Sequence, residues 1–270
     1  MIWSTQGSIL GPILFNNFIN DIPKINSLPE ITTSTAIYAD DVQLLFSGTP
    51  NNLDQVKIYE ETSLQTIKEW YSENGLKMNS NKTQCILFAT AYFNKRTETF
   101  QITIDDRARH MEDKVKNLGV IFDSRHSFEH QIKSLCSRLN GTQSYLNRVK
   151  HTLHKKSRIF LINVLILSHL NYCSTIWGKC SEKLQYVLQK WINSAAKVAS
   201  NAKYLKPDHF TPLFRDLKWI NFKSILLLNV ASIIYKNLYV SADSNVKMFN
   251  FDLRNMVSQR ITIETALMYI

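Results

Sequence analysis

The chain has 270 residues, 44% of them hydrophobic, which is enough for a sizeable core and one or two domains. Seven Gly and six Pro exclude a collagen-like or low-complexity chain, and four Cys are too few for a disulfide framework. The formal net charge of +10 is unevenly spread: nine Lys/Arg stand against fourteen Asp/Glu up to Asp113, and nineteen against five from Lys114 to Lys223.

In chain order, Gly7 and Gly11 bracket a tight segment, Gln6 to Pro12. Pro12 suits the first turn of a helix whose apolar face is Ile13, Leu14, Phe15, Phe18 and Ile19, ended at Ile22-Pro23. Thr33 to Tyr38 and Val42 to Phe46 read as two strands rich in β-branched and aromatic residues, stopped at Gly48-Thr49-Pro50. The hairpin tip between them carries Asp40-Asp41. Paired carboxylates there have two readings: a plain Asp-rich turn, or a hard-cation site that also grips substrate phosphates.

Asn52 to Tyr71 predicts an amphipathic helix, capped by Asn51 or Asn52 and stopped near Gly75, with Val56, Tyr59, Leu64, Ile67 and Trp70 on its packing side. Lys82 follows in a Ser-Asn-Lys-Thr turn before the strand Gln84 to Phe88, and by itself reads as a surface lysine. Phe100 to Ile104 and Lys114 to Phe122 read as two more strands. Asp105-Asp106 lies in a turn beside Arg107 and Arg109, as a solvated loop.

From Ser127 the pattern becomes helical. Ser127 can cap a helix with Ile132, Leu135, Leu139, Leu146 and Val149 on one face; His154 to Trp177 reads as a long helix or broken pair, and Glu182 to Ala199 as a third. Ile159 to Trp177 has no charge and is long enough to cross a bilayer, but Asn163, His169 and Asn171 favour a buried helix and no membrane. Arg138, Arg148, Lys150, Lys155, Lys156 and Arg158 lie among the apolar stripes, as solvated faces or as contacts to a phosphate backbone. Pro207 and Pro212 mark a loop, and Phe222 to Tyr239 an apolar helix. Cys85, Cys136, Cys173 and Cys180 form no C-x-x-C pair, which argues against zinc and for reduced thiols in an intracellular compartment, nucleus or cytoplasm left open.

Gln6-Gly7-Ser8-x-Leu10-Gly11-Pro12-x-Leu14-Phe15 followed by Tyr38-Ala39-Asp40-Asp41 resembles two successive motifs of the reverse transcriptases of non-LTR retrotransposons, in the jockey-like, LINE-type flavour. Trp70, Asn74 to Asn79 and Asn81-Lys82-Thr83 resemble the family's next motif, and Asn117 to Asp123 the one after. Tyr172 to Trp177 and Leu217 to Ile220 look like its thumb and downstream region, and the likeness thins beyond about Tyr239. Thr5 departs from the family's usual Pro.

The resemblance implies an α+β fold: a partial palm, an antiparallel sheet with helices, over residues 1–124, a helical thumb and connection over 125–240, and a tail of unknown role over 241–270. It implies RNA-directed DNA polymerisation with Mg²⁺ and deoxynucleoside triphosphates on an RNA template and DNA primer, with no obligate protein partner. Asp40 and Asp41 would hold the metal, Lys82 would act on the triphosphate, Gln6, Gly7 and Ser8 would line the nucleotide groove, and Tyr38 would support the primer end. The family's fingers and its first catalytic aspartate would precede residue 1. The expectation is therefore weak Mg²⁺ binding, an uncovered sheet edge beside Ile37 and Leu45, and no polymerase activity from these residues alone. The alternative is an inactive retroelement remnant that binds RNA or DNA through its basic helices. A third reading is a partner-binding protein without nucleic acid.

Overall fold

The computed structural model describes residues 8–25, 32–49, 51–89, 100–201, 210–236 and 263–268. The chain divides into two units, one of Met1–His126 with Asn255–Ile270 and one of Ser127–Arg254. Helices and small antiparallel sheets are mixed in the first, and the described part of the second is helical.

The first unit opens with α1 (Gly11–Ile19), which has Pro12 in its first turn as the fixed φ of proline favours. Phe15, Phe18 and Ile19 face the core, while Ile13 and Leu14 are exposed. α1 ends at Ile19, just ahead of Ile22-Pro23, and Ile22-Pro23 is not a simple stop. It begins the short α2 (Ile22–Ile25), because proline is tolerated where no backbone N–H is needed.

Strands β1 (Thr32–Tyr38) and β2 (Asp41–Gly48) pair antiparallel, Tyr38 opposite Asp41, so the tip is Ala39-Asp40. Ala39 takes a left-handed φ of 52°, the twist that a two-residue hairpin needs at its first central position. Alternation along β2 buries Val42, Leu44 and Phe46 against α3 (Leu53–Glu73), whose Val56, Leu64, Ile67 and Tyr71 complete the core. Asn52 stands at the N-cap, but its Oδ1 accepts from the Thr49 amide (2.6 Å) and hydroxyl (3.1 Å), so the expected side-chain cap is not made. Gly75 stops the helix with φ +70°.

At Gly48 a Cβ would stand 2.5 Å from Cγ2 of Val56, a branched side chain with little freedom to yield. Gly48→Ala is therefore expected to destabilise this unit by about 1–3 kcal/mol, read from its denaturation midpoint, as overpacking does.

Strand β3 (Gln84–Phe88) lies in the same sheet, but the order is β1-β2-β8-β3, where β8 is Ile263–Met268. Leu44 is opposite Leu267, and Cys85 is opposite the same residue from the other side. The edge of β2 away from β1 is thus paired, while β1 stands at one end of the described sheet; Ile37 and Leu45, expected to lack cover, are partly buried against the core clusters. Two hairpins follow. β4 (Gln101–Ile104) and β5 (Arg107–His110) turn at Asp105-Asp106, both at positive φ. The stretch expected as one strand from Lys114 to Phe122 folds back on itself as β6 (Lys114–Asn117) and β7 (Val120–Asp123). Leu118 (φ 43°) and Gly119 (φ 84°) form its two-residue turn.

In the second unit α4 (Glu129–Val149) buries Ile132, Leu135, Leu139 and Leu146, and Ser127 Oγ accepts from the Glu129 amide at 3.3 Å. α5 (Lys155–Ile162) runs through a π-helical turn, Asn163–Leu167, into α6 (Ser168–Asn171). The chain then breaks at Cys173, φ 49°, before α7 (Ser174–Trp177). No single helix among the described residues is long and apolar enough to cross a membrane. α8 (Glu182–Ser200) is the helix on which α4, α5, α9 (Phe210–Leu217) and α10 (Phe222–Tyr235) pack. Pro212 sits in the first turn of α9 rather than in a loop, again a position that needs no N–H. Pro207 lies outside the described residues. Trp177 is fully buried, donates from Nε1 to the Tyr172 carbonyl at 2.9 Å and stacks on Phe222.

Candidate active site

The Ala39-Asp40 tip of the first hairpin stands on the rim of a cavity of about 630 Å³ in the first unit. Asp40 and Asp41 line one part of it. Lys77, Lys82, Arg109 and Lys116 line another, with Phe15, Tyr71 and Met78 among the remaining walls. Carboxylates that attract a cation therefore share one enclosure with four cationic side chains that attract an anion. That is the charge layout a metal-bound polyphosphate needs.

Each side chain has a local cause. Asp41 is the first residue of β2, and its pairing with Tyr38 fixes it at the mouth of the hairpin. Its carboxyl is held above the usual carboxylate range, first by burial and then by the charge of Asp40. The Tyr71 phenol, pushed up to about 12 by burial and secondarily by Asp40, stays neutral beneath the pair. Lys82 projects from a tight turn in which the Asn79 carbonyl accepts the amides of Lys82 (2.9 Å) and Thr83 (3.2 Å). Arg109 reaches that turn from β5, with Nη2 donating to the Ser80 carbonyl (3.1 Å) and to Asn81 Oδ1 (3.3 Å). Behind the hairpin, Gln43 Nε2 donates to Oδ1 of the buried Asn117 at 2.9 Å, tying β2 to the turn of the β6–β7 hairpin.

A raised carboxyl pKa in the folded state carries a stability cost. The folded chain holds the Asp41 proton more tightly than the unfolded chain. Stability therefore falls as pH rises from the ordinary value of 3.8 through the raised one, and the penalty is complete above it. Asp41→Asn is expected to melt at a higher temperature than the wild type at neutral pH. The two curves should converge near pH 3, below both values, in a thermal scan without divalent metal.

Asp40, Asp41 and Lys82 line one cavity; Tyr38 is beside it on β1, 65% exposed. Ser8 precedes α1, its carbonyl accepting the Gly11 amide at 3.2 Å, whereas Gln6 and Gly7 lie outside the described residues. In the second unit Arg138, Arg148 and Lys156 are exposed and Lys150 is half-buried. Lys155 pairs with Asp216 at 2.7 Å. Arg158 spends its guanidinium on the carbonyls of Ala199 (3.0 Å), Lys150 (3.0 Å) and Leu153 (2.5 Å), which joins helix ends. Sequence reading did not anticipate Arg109 or Lys116 in the site. The alternation exposed-buried along β6 puts Lys114 and Lys116 on one face, and that was the available signal.

Among the described residues no group of three or more His, Cys, Asp or Glu could hold a metal ion. Asp40 and Asp41 offer hard oxygen donors, but they are two where a protein cage for such an ion uses more.

Residues 4–122 match the family model described as reverse transcriptase (RNA-dependent DNA polymerase). The chain is 26% identical over 221 residues to the probable RNA-directed DNA polymerase from transposon BS of Drosophila melanogaster, covering 78% of this chain and 23% of that protein. It is 22% identical over 216 residues to the corresponding probable polymerase from transposon X-element of the same fly, covering 79% and 23%. It is 27% identical over 183 residues to the RNA-directed DNA polymerase from mobile element jockey of Drosophila funebris, covering 64% and 19%. The aligned part is thus about a quarter of the length of these relatives or less. No solved structure matches. Residues 4–122 thus match the reverse transcriptase family, and the chain is similar to the RNA-directed DNA polymerases of jockey-like, LINE-type non-LTR retrotransposons.

Proposed function

We propose that the cavity beside Asp40 and Asp41 is the nucleotide-side part of an RNA-directed DNA polymerase centre, taking a deoxynucleoside triphosphate with Mg²⁺. The observation that carries this reading is the meeting of two carboxylates with Lys77, Lys82, Arg109 and Lys116 in one enclosure. Asp40 and Asp41 hold the cation, which when bound supplies charge neutralisation of the phosphates. Lys82 lies against the triphosphate, and Arg109 holds the turn that carries Lys82 by its bonds to Ser80 and Asn81. Tyr38 supports the primer end, and Gln6, Gly7 and Ser8 lie along the groove for template and nucleotide.

On this reading the first unit is the palm part and the helical unit is the thumb and connection, which follows an RNA template and DNA primer through exposed Arg138, Arg148 and Lys156. The neighbouring Lys150 adds charge there, while Lys155 and Arg158 serve helix packing through Asp216 and the helix-end carbonyls. With two carboxylates in the described site, these residues bind Mg²⁺ weakly and do not polymerise by themselves; a third carboxylate has to join the pair.

Calorimetric titration of the purified chain with dTTP and Mg²⁺ tests the reading. Binding is expected, weakened about tenfold in Lys82→Gln by loss of a charged contact worth about 1.5 kcal/mol. Equal affinity in Lys82→Gln and the wild type would contradict the role of that lysine, and no binding at all would contradict the site. A second reading, an inactive chain that only binds nucleic acid, is favoured by the excess of Lys and Arg between Lys114 and Lys223. It requires RNA or DNA affinity that falls steeply with salt in a chain that does not bind dTTP.

A further inference from the structure

A second cavity of about 530 Å³ adjoins the first and shares Lys77, Met78, Asn79, Asn81 and Arg109 with it. Its own contributions come from Ser80 and from the end of the β4–β5 hairpin: Ile104, Asp105 and Arg107. The charges in it do not cancel internally. Asp105, the single carboxylate of the lining, is already tied to Lys68 on α3, which holds its carboxyl below the usual range. Lys77, Arg107 and Arg109 make no ion pair with other described residues. The Nε of Arg109 is buried and bonded to nothing among the described residues, although Nη2 of the same guanidinium is engaged. A buried donor left this way costs free energy unless a ligand or water accepts from it.

Three cations on two supports converge here: Lys77 on the segment after α3, and Arg107 and Arg109 on β5. The Asp105-Asp106 turn, with both residues at positive φ, sets Arg107 beside the loop of residues 77–81. Such a cluster fits a compact, highly charged anion better than a neutral or cationic ligand. Lys77 and Arg109 belong to both cavities, so an anion that leaves the first passes from one set of positive charges to the next.

The geometry points to a diphosphate subsite formed by Lys77, Arg107 and Arg109, which receives inorganic pyrophosphate displaced from the neighbouring cavity. The inference rests on the polymerase reading for the origin of that ligand. In nucleotidyl transfer the primer 3′-oxygen bonds to the α-phosphorus, and the bond from that phosphorus to the bridging oxygen of the β-phosphate breaks. Pyrophosphate leaves with the electron pair, and the hydroxyl proton goes to solvent.

The test is calorimetric titration of the full chain with inorganic pyrophosphate in a chelator, so that no metal-mediated binding at Asp40-Asp41 contributes. Wild-type binding is expected to weaken about tenfold in Arg107→Gln and in Lys77→Gln, to be kept in Arg107→Lys, and to be unchanged in the double variant Asp40→Asn, Asp41→Asn. Because that double variant removes metal-dependent dTTP binding, failure of the polymerase reading and failure of the subsite register in different experiments. Wild-type affinity in Arg107→Gln would overturn the proposal. So would orthophosphate binding as tightly as pyrophosphate, or displacement of pyrophosphate by a single-stranded oligonucleotide with the same dependence on Arg107. The last outcome would make this a site for backbone phosphates.

Discussion

Replacing Asp40 and Asp41 together by asparagine is expected to weaken Mg²⁺-dependent dTTP binding about a hundredfold, a loss of about 2.8 kcal/mol, while raising the melting temperature of the first unit. The two effects have one origin. The carboxylates are adjacent, Asp41 is partly desolvated, and its proton is held more tightly than in a free chain, by burial and by Asp40. Without a cation the folded state carries that repulsion, and a bound cation relieves it. A substitution that removes the charge stabilises the fold and removes the reason for a cation to bind, the usual opposition between stability and a charged site. Calorimetry and a thermal scan on the same variant separate this account from simple unfolding, which would lower both quantities. Affinity unchanged by the double substitution would contradict the role of the pair.

Ending the chain at residue 262 is the second large change. β3 has no ladder partner among the described strands other than β8, and β2 has β8 on its inner edge. Loss of β8 strips six register positions from β2 and five from β3. At about 1 kcal/mol net for each backbone hydrogen bond, the loss is comparable to the whole stability of a domain, about 5–15 kcal/mol. The expected result is loss of amide protection throughout β2 and β3, with the amides of α4 and α8 in the other unit still protected. The bare edges should also make the truncated chain prone to aggregation. A peptide of residues 258–270 added in trans is expected to restore protection in β2 and β3. Retained protection without it would show that β8 does not carry this sheet.

The local elements were legible because their causes are local. The apolar run of β2, the apolar spacing of α3 and the stripes of α4 and α8 declare themselves over a few residues or turns. The Asp pair at the hairpin tip was readable for the same reason, since two apolar strands around a short polar turn leave little choice. Errors came where one residue breaks a pattern that otherwise continues. Leu118-Gly119 splits an apparently continuous strand; at Cys173 the chain breaks within the run read as a long helix or a broken pair. Pro212 was read as a loop marker because its tolerance in a first turn depends on where the helix starts.

The place of β8 was not legible, because register with β2 and β3 is a property of residues more than two hundred positions apart from one of them. The cationic side of the cavity was hidden in the same way. Lys82 stood out through the motif, whereas Arg109 and Lys116 join it only because two hairpins fold back over the turn of residues 79–82. Arg158 shows the converse. Its sequence context suggested a phosphate contact, and the structure engages it with three backbone carbonyls.

The most direct test of the central claim is amide hydrogen exchange on the wild-type chain with and without dTTP and Mg²⁺. The account predicts slowed exchange confined to the Tyr38–Val42 tip, to residues 77–84 and to the facing segment from Arg109 to Lys116, with the helices of residues 129–200 unchanged. Protection that falls on those helices instead, or no change anywhere at saturating nucleotide, would contradict a nucleotide site at Asp40 and Asp41.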